Sequence, residues 1–217
     1  MTTGFERTRG GGAHAHFEDV EARMLASLAA QVVELVRNGA AQPGVVDEDP
    51  DAGDPLAALV GMGADSPLAR PDDPALARLL PDGYSGDESE ATDAADFRRY
   101  TEPGLRELKA SNAATVITSL LEAGADLTGL GSEPREDDGS EDAGQSAGVD
   151  VELDAAEVDG WLRCLTDIRL ALGTRLGVEQ DDDERWEQLP DDDPDKAMHE
   201  VYDWLAFVQE TLLRILR

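Results

Sequence analysis

The fold is decided by one stretch, Gly160-Trp-Leu-Arg-Cys-Leu-Thr-Asp-Ile-Arg-Leu-Ala-Leu-Gly-Thr-Arg-Leu-Gly-Val178. Its apolar residues recur at spacings of three and four, which is the period of one helical face. The members of that face are Val158, Trp161, Leu162, Leu165, Ile168, Leu172 and Leu176. The stretch therefore predicts a long amphipathic helix, which needs partners to bury its apolar side.

Three further segments predict substantial helices, so a compact multi-helix bundle is expected. They run from about residue 18 to 39, over roughly 90–123, and from about 195 to 217. Pro103 interrupts the middle segment, so we expect a kink or a restart there, with Thr101 as a cap. The buried side of that segment is expected to consist of Phe97, Tyr100, Leu105, Leu108, Val116, Leu120 and Leu121.

Shorter signals complete the predicted architecture. Residues 4–16 hold two short segments on either side of the turn Arg9-Gly-Gly-Gly12 and predict a hairpin. Residues 149–153 alternate apolar and acidic side chains and predict a third antiparallel strand. Asp54-Pro55 and Asp73-Pro74 predict short capped helices over 54–60 and 73–80, and Asp154 is expected to cap the Trp161 helix.

The expected fold class is thus mainly helical with a small antiparallel sheet, and residues 1–217 are expected to form a single domain. The long segments 40–53, 125–148 and 179–195 are acidic or glycine rich and are expected to be loops.

The chain is strongly acidic. Its 217 residues include 18 Lys and Arg against 48 Asp and Glu, a formal net charge of −30. Such a field repels naked nucleic acid and attracts basic protein surfaces, so we expect no DNA binding by the chain alone. The N-terminus lacks the apolar core of a signal peptide, and no apolar run approaches the roughly 20 residues that span a bilayer. A soluble cytoplasmic protein is expected.

Nothing in the sequence carries a recognisable catalytic, cofactor or metal motif. His14 and His16 share a face of the predicted hairpin, but two histidines near glycines are more typical of exposed surface. The acidic runs lack calcium-loop spacing, and the glycine runs lack Walker and Rossmann spacing. We therefore expect a protein without enzymatic activity, cofactor or metal. The alternative is an enzyme with its site in a helical cleft.

Cations cluster on two predicted helices. Arg98, Arg99, Arg106 and Lys109 lie on one, and Arg163, Arg169 and Arg175 lie on the Trp161 helix. They suit internal ion pairs or a surface for a protein partner, and a direct DNA-binding regulator would need all of them on one face. The candidate partner-binding residues are Arg98, Arg99, Arg106, Arg169 and Arg175.

Two residues within the opening stretch carry specific expectations. Asp167 should pair with Arg163, four residues earlier, or with an arginine of the 98–109 segment, because residues two apart on a helix do not face each other. Cys164 is the single cysteine, so no internal disulfide is possible, and its helical phase beside Trp161 favours a buried, neutral thiol. Cys164 is the one candidate for a redox role.

Four segments together resemble the AosR-like family of actinobacterial oxidative stress regulators. They are Asp73-Pro-Ala-Leu-Ala-Arg-Leu-Leu-Pro-Asp-Gly-Tyr84, Phe97-Arg-Arg99 with Leu105-Arg106 and Lys109, Trp161-Leu-Arg-x-Leu-x-Asp-x-Arg-Leu-Ala-Leu-Gly-Thr-Arg-Leu176, and Val201-Tyr-x-Trp-Leu205 with Gln209-Glu-x-Leu212. The resemblance runs in the same order from Phe5 to Leu212.

That resemblance implies a transcriptional co-regulator that works with an extracytoplasmic-function sigma factor, and it is compatible with a homodimer. Regulation in the family rests on a redox-active cysteine pair, which this chain lacks. Cys164 would then form only intermolecular or mixed disulfides, or no thiol switch operates here.

Overall fold

A computed structural model describes residues 3–38, 70–83, 88–128, 148–180 and 182–216. The loop predicted at 40–53, the helix predicted at 54–60 and most of the loop predicted at 125–148 lie outside the described residues. In chain order the elements are β1 (Thr3–Arg7), β2 (Ala13–Phe17), α1 (Asp19–Asn38), α2 (Pro74–Leu79), α3 (Glu88–Glu122), β3 (Val149–Leu153), α4 (Ala155–Leu176), α5 (Asp183–Glu187) and α6 (Pro194–Ile215). The prediction of a mainly helical protein with a small antiparallel sheet is confirmed.

The sheet has the order β1-β2-β3, with both pairs antiparallel. The β1–β2 turn uses Gly11 at φ 88°, a backbone conformation that glycine adopts without strain. Alternate residues of β2 and β3 are buried, including Phe17 and Val151, while His14 and His16 lie on the opposite face. The two-residue period of the sequence therefore sets which face of the sheet meets the helices.

Trp161 of α4 is fully buried where the sheet meets the helices. Its indole stacks on Phe17 of β2, with ring centroids 5.9 Å apart, and meets the ring of Phe5 of β1 edge-on at 5.4 Å. Its Nε1 donates a hydrogen bond to Ser119 Oγ of α3 at 3.1 Å. One side chain thus joins two strands and two helices.

The ends of α4 follow the predicted chemistry. Asp154 accepts hydrogen bonds from the backbone N–H groups of Ala156 and Glu157, and the Glu157 carboxylate accepts one from the Asp154 N–H. This reciprocal pair satisfies donors that a helix start leaves open. Gly177 ends the helix at φ 63°. The core predicted around α4 and α6 is confirmed, with Trp204 partly buried beside the fully or almost fully buried Trp161, Leu165, Ile168, Leu205 and Val208.

The long helix α3 corrects one expectation. It is a single helix from Glu88 to Glu122 with Pro103 inside it. Of the kink or restart expected at Pro103, the restart with Thr101 as its cap is therefore wrong. The Thr101 hydroxyl donates to the Phe97 carbonyl instead of capping a new helix. Because α3 packs against both α1 and α4, tertiary contacts offset the backbone hydrogen bond that proline removes.

The buried side of α3 also differs from the prediction. Of the predicted set only Val116 and Leu120 are buried, whereas the remaining members are between 37% and 74% exposed: Phe97, Tyr100, Leu105, Leu108 and Leu121. The side that faces the core carries Ala94, Arg98, Glu102, Ala110, Asn112, Ala113, Val116, Ser119 and Leu120. Small residues let α3 approach its neighbours closely, and the buried charges neutralise one another, so the large apolar side chains remain outside.

The predicted loop at 179–195 is also corrected. It contains the short helix α5, and α6 begins at Pro194 with Asp193 as its cap. Trp186 of α5 is buried and stacks on the His199 ring of α6 at 4.2 Å. A five-residue helix is too short to give a periodic signal, so the need to bury this indole is what orders the segment.

Replacing Trp161 with alanine should lower the free energy of unfolding by about 3–5 kcal/mol, because the change leaves a cavity where four elements meet. Trp161→Phe should cost less, since it keeps ring contacts and loses mainly the bond to Ser119. Urea denaturation followed by circular dichroism measures both. A loss below about 1 kcal/mol for Trp161→Ala would refute this packing.

Candidate functional site

An apolar surface runs along the exposed side of α3. Phe97, Tyr100, Leu105 and Leu108 lie on one side of the helix, and each is at least one-third exposed. We call these four residues the α3 stripe. Single exposed apolar side chains are ordinary, but several large ones on one side of a helix indicate an interaction surface.

A groove borders this stripe where α3 packs against α4. Its volume is about 210 Å³, and we call it the α3–α4 groove. It is lined by Leu105, Leu108, Lys109, Asn112, Arg163, Thr166 and Asp167. Leu105 and Leu108 belong to both features, so the stripe and the groove form one continuous surface.

A nearly buried ion pair lines the groove. Lys109 Nζ lies 2.6 Å from Asp167 Oδ1, and the two side chains are 17% and 5% exposed. Burial raises the pKa of Asp167 above its usual range, and the hydrogen bond from Lys109 opposes that rise. The carboxyl group is therefore held in place by a charge from the other helix.

The predicted partner of Asp167 is corrected in one respect. The partner does come from the 98–109 segment, but it is Lys109 and not an arginine. Arg163 donates instead to Asp159 at 2.8 Å on the exposed side of α4. Because Asp167 faces α3, a cation on that helix reaches it, while Arg163 extends toward solvent.

Cys164 lies buried one helical turn before Asp167. Burial is the main cause that raises the pKa of its thiol, and the negative charge of Asp167 adds to it. Its arginine neighbours are engaged elsewhere: Arg163 with Asp159, and Arg169 with Gln209. The prediction that Cys164 is buried is confirmed, and the thiolate is disfavoured.

Two of the predicted partner-binding arginines support the fold from within. Arg98 is buried and pairs with Asp82 and with Glu102. Arg106 Nε donates to Glu102 Oε1 at 2.7 Å, and its guanidinium also reaches the Val36 carbonyl at the end of α1. This network joins α1, α3 and the turn after α2.

A third predicted arginine, Arg169, joins α4 to α6. Its guanidinium lies over the Tyr202 ring at 4.8 Å and donates to Gln209 Oε1 at 2.8 Å. Gln209 Nε2 in turn donates to Thr166 Oγ1 at 2.7 Å. Because Thr166 lines the α3–α4 groove, this chain of contacts extends from α6 to the groove.

The remaining two predicted arginines, Arg99 and Arg175, lie in different parts of the molecule. Arg99 lies over the ring of Tyr100 at 4.7 Å, within the stripe. Arg175 is exposed near the end of α4 and lines a different groove. The five candidates are therefore not brought together on one surface.

Sequence reasoning places Leu105 and Leu108 in the core and so misses the surface they form. A signal for the true buried side does exist. Arg98, Glu102 and Arg106 follow one another at spacings of four and alternate in charge, which lets them neutralise one another inside the fold. If these three charged residues are assigned to the buried side of α3, Leu105 and Leu108 fall on its exposed side.

The two histidines of β2 lie near a carboxylate of β3. His16 Nδ1 and His14 Nε2 are 3.0 Å and 3.6 Å from Asp150 Oδ1, and the bond from His16 lowers the pKa of Asp150. Within the described ranges, no group of three or more His, Cys, Asp or Glu side chains is placed to hold a metal ion. Across those same ranges, no helix has the length and apolar character needed to cross a membrane.

The chain has identifiable relatives in sequence. The model of a family described as a domain of unknown function, DUF2017, matches residues 2–216. The chain belongs to this family. Oxidative stress regulator AosR of Mycobacterium tuberculosis is 31% identical over 200 residues, which cover 89% of this chain and 82% of that protein.

A second relative of this DUF2017 member is a putative oxidative stress regulator AosR from Mycobacterium leprae. It is 30% identical over 170 residues, and the match spans 74% of this chain and 65% of the length of the relative. No solved structure matches the chain. The predicted resemblance to the AosR-like family is confirmed.

Removing the groove cation should destabilise this DUF2017 protein. Lys109→Met leaves Asp167 buried without its partner, which should cost about 3–5 kcal/mol at pH 7. The folded-state pKa of Asp167 then stays above its unfolded value, so the loss should grow as pH rises from about 4, the ordinary carboxyl pKa, toward 7. Urea denaturation across that range measures it.

Two controls accompany this prediction. Arg163→Met removes an exposed pair with Asp159 and should cost no more than about 1 kcal/mol. The double variant Lys109→Met/Asp167→Leu should recover most of the stability, because no charge is left buried. Equal losses for Lys109→Met and Arg163→Met would contradict the assignment.

Cys164 should resist alkylation in the folded protein. Iodoacetamide should label it more than about tenfold more slowly in buffer than in urea, since the buried thiol is neutral and shielded. Mass spectrometry of the intact chain follows the reaction. Labelling at similar rates in both conditions would show that the thiol is reactive in the native state.

Proposed function

We propose that this chain is a stress-response regulator that binds a protein partner through the α3 stripe and the α3–α4 groove and catalyses no reaction. One observation carries the proposal: large apolar side chains of α3 lie exposed beside a concave groove. The names of the mycobacterial relatives supply the process, oxidative stress regulation.

The stripe favours an amphipathic helix as the partner element. From Phe97 to Leu108 it covers about 16 Å of helix, or roughly three turns. An apolar helix face of similar length could lie along it, in the manner of helix-in-groove recognition. Since the net charge is −30, basic residues flanking that face would be attracted.

The family resemblance points to an extracytoplasmic-function sigma factor as that partner, and so to action in the cytoplasm. A sigma factor must bind DNA and carries basic surfaces, which suits an acidic regulator. A second copy of this chain is the other occupant to consider. The binding experiment below therefore includes a measurement of oligomeric state.

An enzyme in the same groove is the competing function. Asp167 has a raised pKa, a property common in catalytic acids. However, its side chain is 5% exposed and its Oδ1 already accepts from Lys109, so a substrate has little access to it. These facts favour a structural role for the pair.

Direct DNA binding is the third function. It requires a continuous basic face, yet Arg98, Arg106 and Lys109 each pair with a carboxylate of this chain. Because these cations are engaged in internal ion pairs, a regulator that reaches DNA through its partner is favoured.

Leu108→Asp should weaken binding to the purified sigma factor by at least about tenfold, because it places a charge in the apolar contact. Leu213→Asp on α6 is the matched control, since the two leucines are 46% and 44% exposed. Isothermal titration calorimetry measures affinity, and analytical ultracentrifugation measures self-association.

The control should leave sigma-factor binding unchanged. Equal losses in both variants, or binding that neither variant alters, would contradict the surface assignment. Loss of a dimer in Leu108→Asp, with sigma-factor binding retained, would assign the surface to self-association instead.

A further inference from the structure

A second groove, lined by residues of α1, α4 and α6, has a volume of about 290 Å³. Most of its lining is aliphatic, including Leu28 and Leu35 of α1 and Leu172 and Leu176 of α4. Met198, in the second turn of α6, lines the same groove and is half-buried. Its side chain therefore borders a largely aliphatic groove and is partly open to solvent.

Sulfur is the protein atom type that peroxides oxidise most readily, and the described residues hold three sulfur atoms. The Cys164 thiol is fully buried and disfavoured as a thiolate. Met24 of α1 is also half-buried, but it lines neither groove described above. Of these two methionines, Met198 alone lines a groove between helices, where a change in polarity alters their packing.

We propose that Met198 is a site of reversible oxidation by peroxide, an inference that rests on the proposed function in stress regulation. A lone pair of the thioether sulfur attacks one peroxide oxygen, and the O–O bond breaks. The sulfur keeps that oxygen as a sulfoxide, and the other oxygen leaves as water with both protons. The sulfur loses two electrons and peroxide gains them.

The groove is large enough for this reaction. A water molecule occupies about 30 Å³ in the liquid, so a volume near 290 Å³ admits a peroxide of two heavy atoms into the groove that Met198 lines. No neighbouring group has to ionise, because the thioether is itself the nucleophile.

Oxidation at this position acts on the contacts of α6. The sulfoxide is polar, and it replaces an apolar group among aliphatic side chains of α1 and α4. One turn further along α6, Tyr202 lies under the Arg169 guanidinium, which holds Gln209. Gln209 bonds to Thr166 of the α3–α4 groove. A shift of α6 therefore reaches the proposed partner surface.

The test oxidises the purified full chain with dilute hydrogen peroxide and maps the products by peptide mass spectrometry. Melting temperature is recorded before oxidation, after oxidation, and after treatment with methionine sulfoxide reductase. Wild type is compared with Met198→Leu and with the matched control Met24→Leu. Leucine keeps the apolar volume at either position and removes the sulfur.

We expect the Met198 sulfoxide to form before any product at the fully buried Cys164, and oxidation of Met24 to leave the melting temperature unchanged. The melting temperature of wild type and of Met24→Leu should then fall by about 2–4 °C, and that of Met198→Leu should not change. The reductase should restore wild type as the Met198 sulfoxide disappears, a readout that requires no variant.

Earlier oxidation of Cys164 would overturn the proposal, and so would a fall in melting temperature that follows the Met24 sulfoxide instead of the Met198 sulfoxide. So would a fall in Met198→Leu equal to that in wild type, or a wild-type melting temperature that stays low after the sulfoxide is reduced. These outcomes are independent of the Leu108→Asp binding test. If Leu108→Asp abolishes sigma-factor binding while Met198 remains unoxidised, this inference alone fails.

Discussion

The buried indole of Trp161 joins the sheet to the helices and fixes which side of α4 faces inward. Its ring fills the space between Phe5 and Phe17, and its N–H is bonded to Ser119. Because α4 can satisfy these contacts in one orientation, the residues three and six positions further on, Cys164 and Asp167, also face inward. The same contact that stabilises the core thus shields the thiol and brings the carboxylate to Lys109.

Charge is distributed differently inside and outside this protein. The outer field is strongly negative, yet the buried charges are matched: Arg98 and Arg106 meet Glu102 and Asp82, and Lys109 meets Asp167. Buried ion pairs of this kind contribute more to the relative alignment of the helices than to the free energy of unfolding. Arg98, Arg106 and Lys109 are therefore engaged in ion pairs within the fold, while the large apolar side chains of the α3 stripe lie on the surface. An acidic protein with an exposed apolar helix face suits partners that are amphipathic and basic.

Periodicity alone predicts much of this fold and little of its surface. The Trp161 helix, its Asp154 cap and the β3 strand are all readable, because burial of one face imposes a regular spacing. The inner side of α3 cannot be predicted in this way, because most of its large apolar residues are exposed and most of its buried positions, apart from Val116 and Leu120, are small, polar or charged. The pairing of Asp167 with Lys109 and the burial of Trp186 depend on contacts between segments distant in sequence, which no local pattern records.

The central claim is that the exposed side of α3 binds the protein partner, and leucine-methyl NMR tests it most directly. The chain, labelled at leucine methyl groups, is titrated with the proposed partner, an unlabelled sigma factor. The account predicts that the resonances of Leu105 and Leu108 shift or broaden while those of Leu213 and Leu216, exposed on and beyond α6, stay unchanged. Changes confined to Leu213 and Leu216, with Leu105 and Leu108 unaffected in a saturated complex, would contradict it.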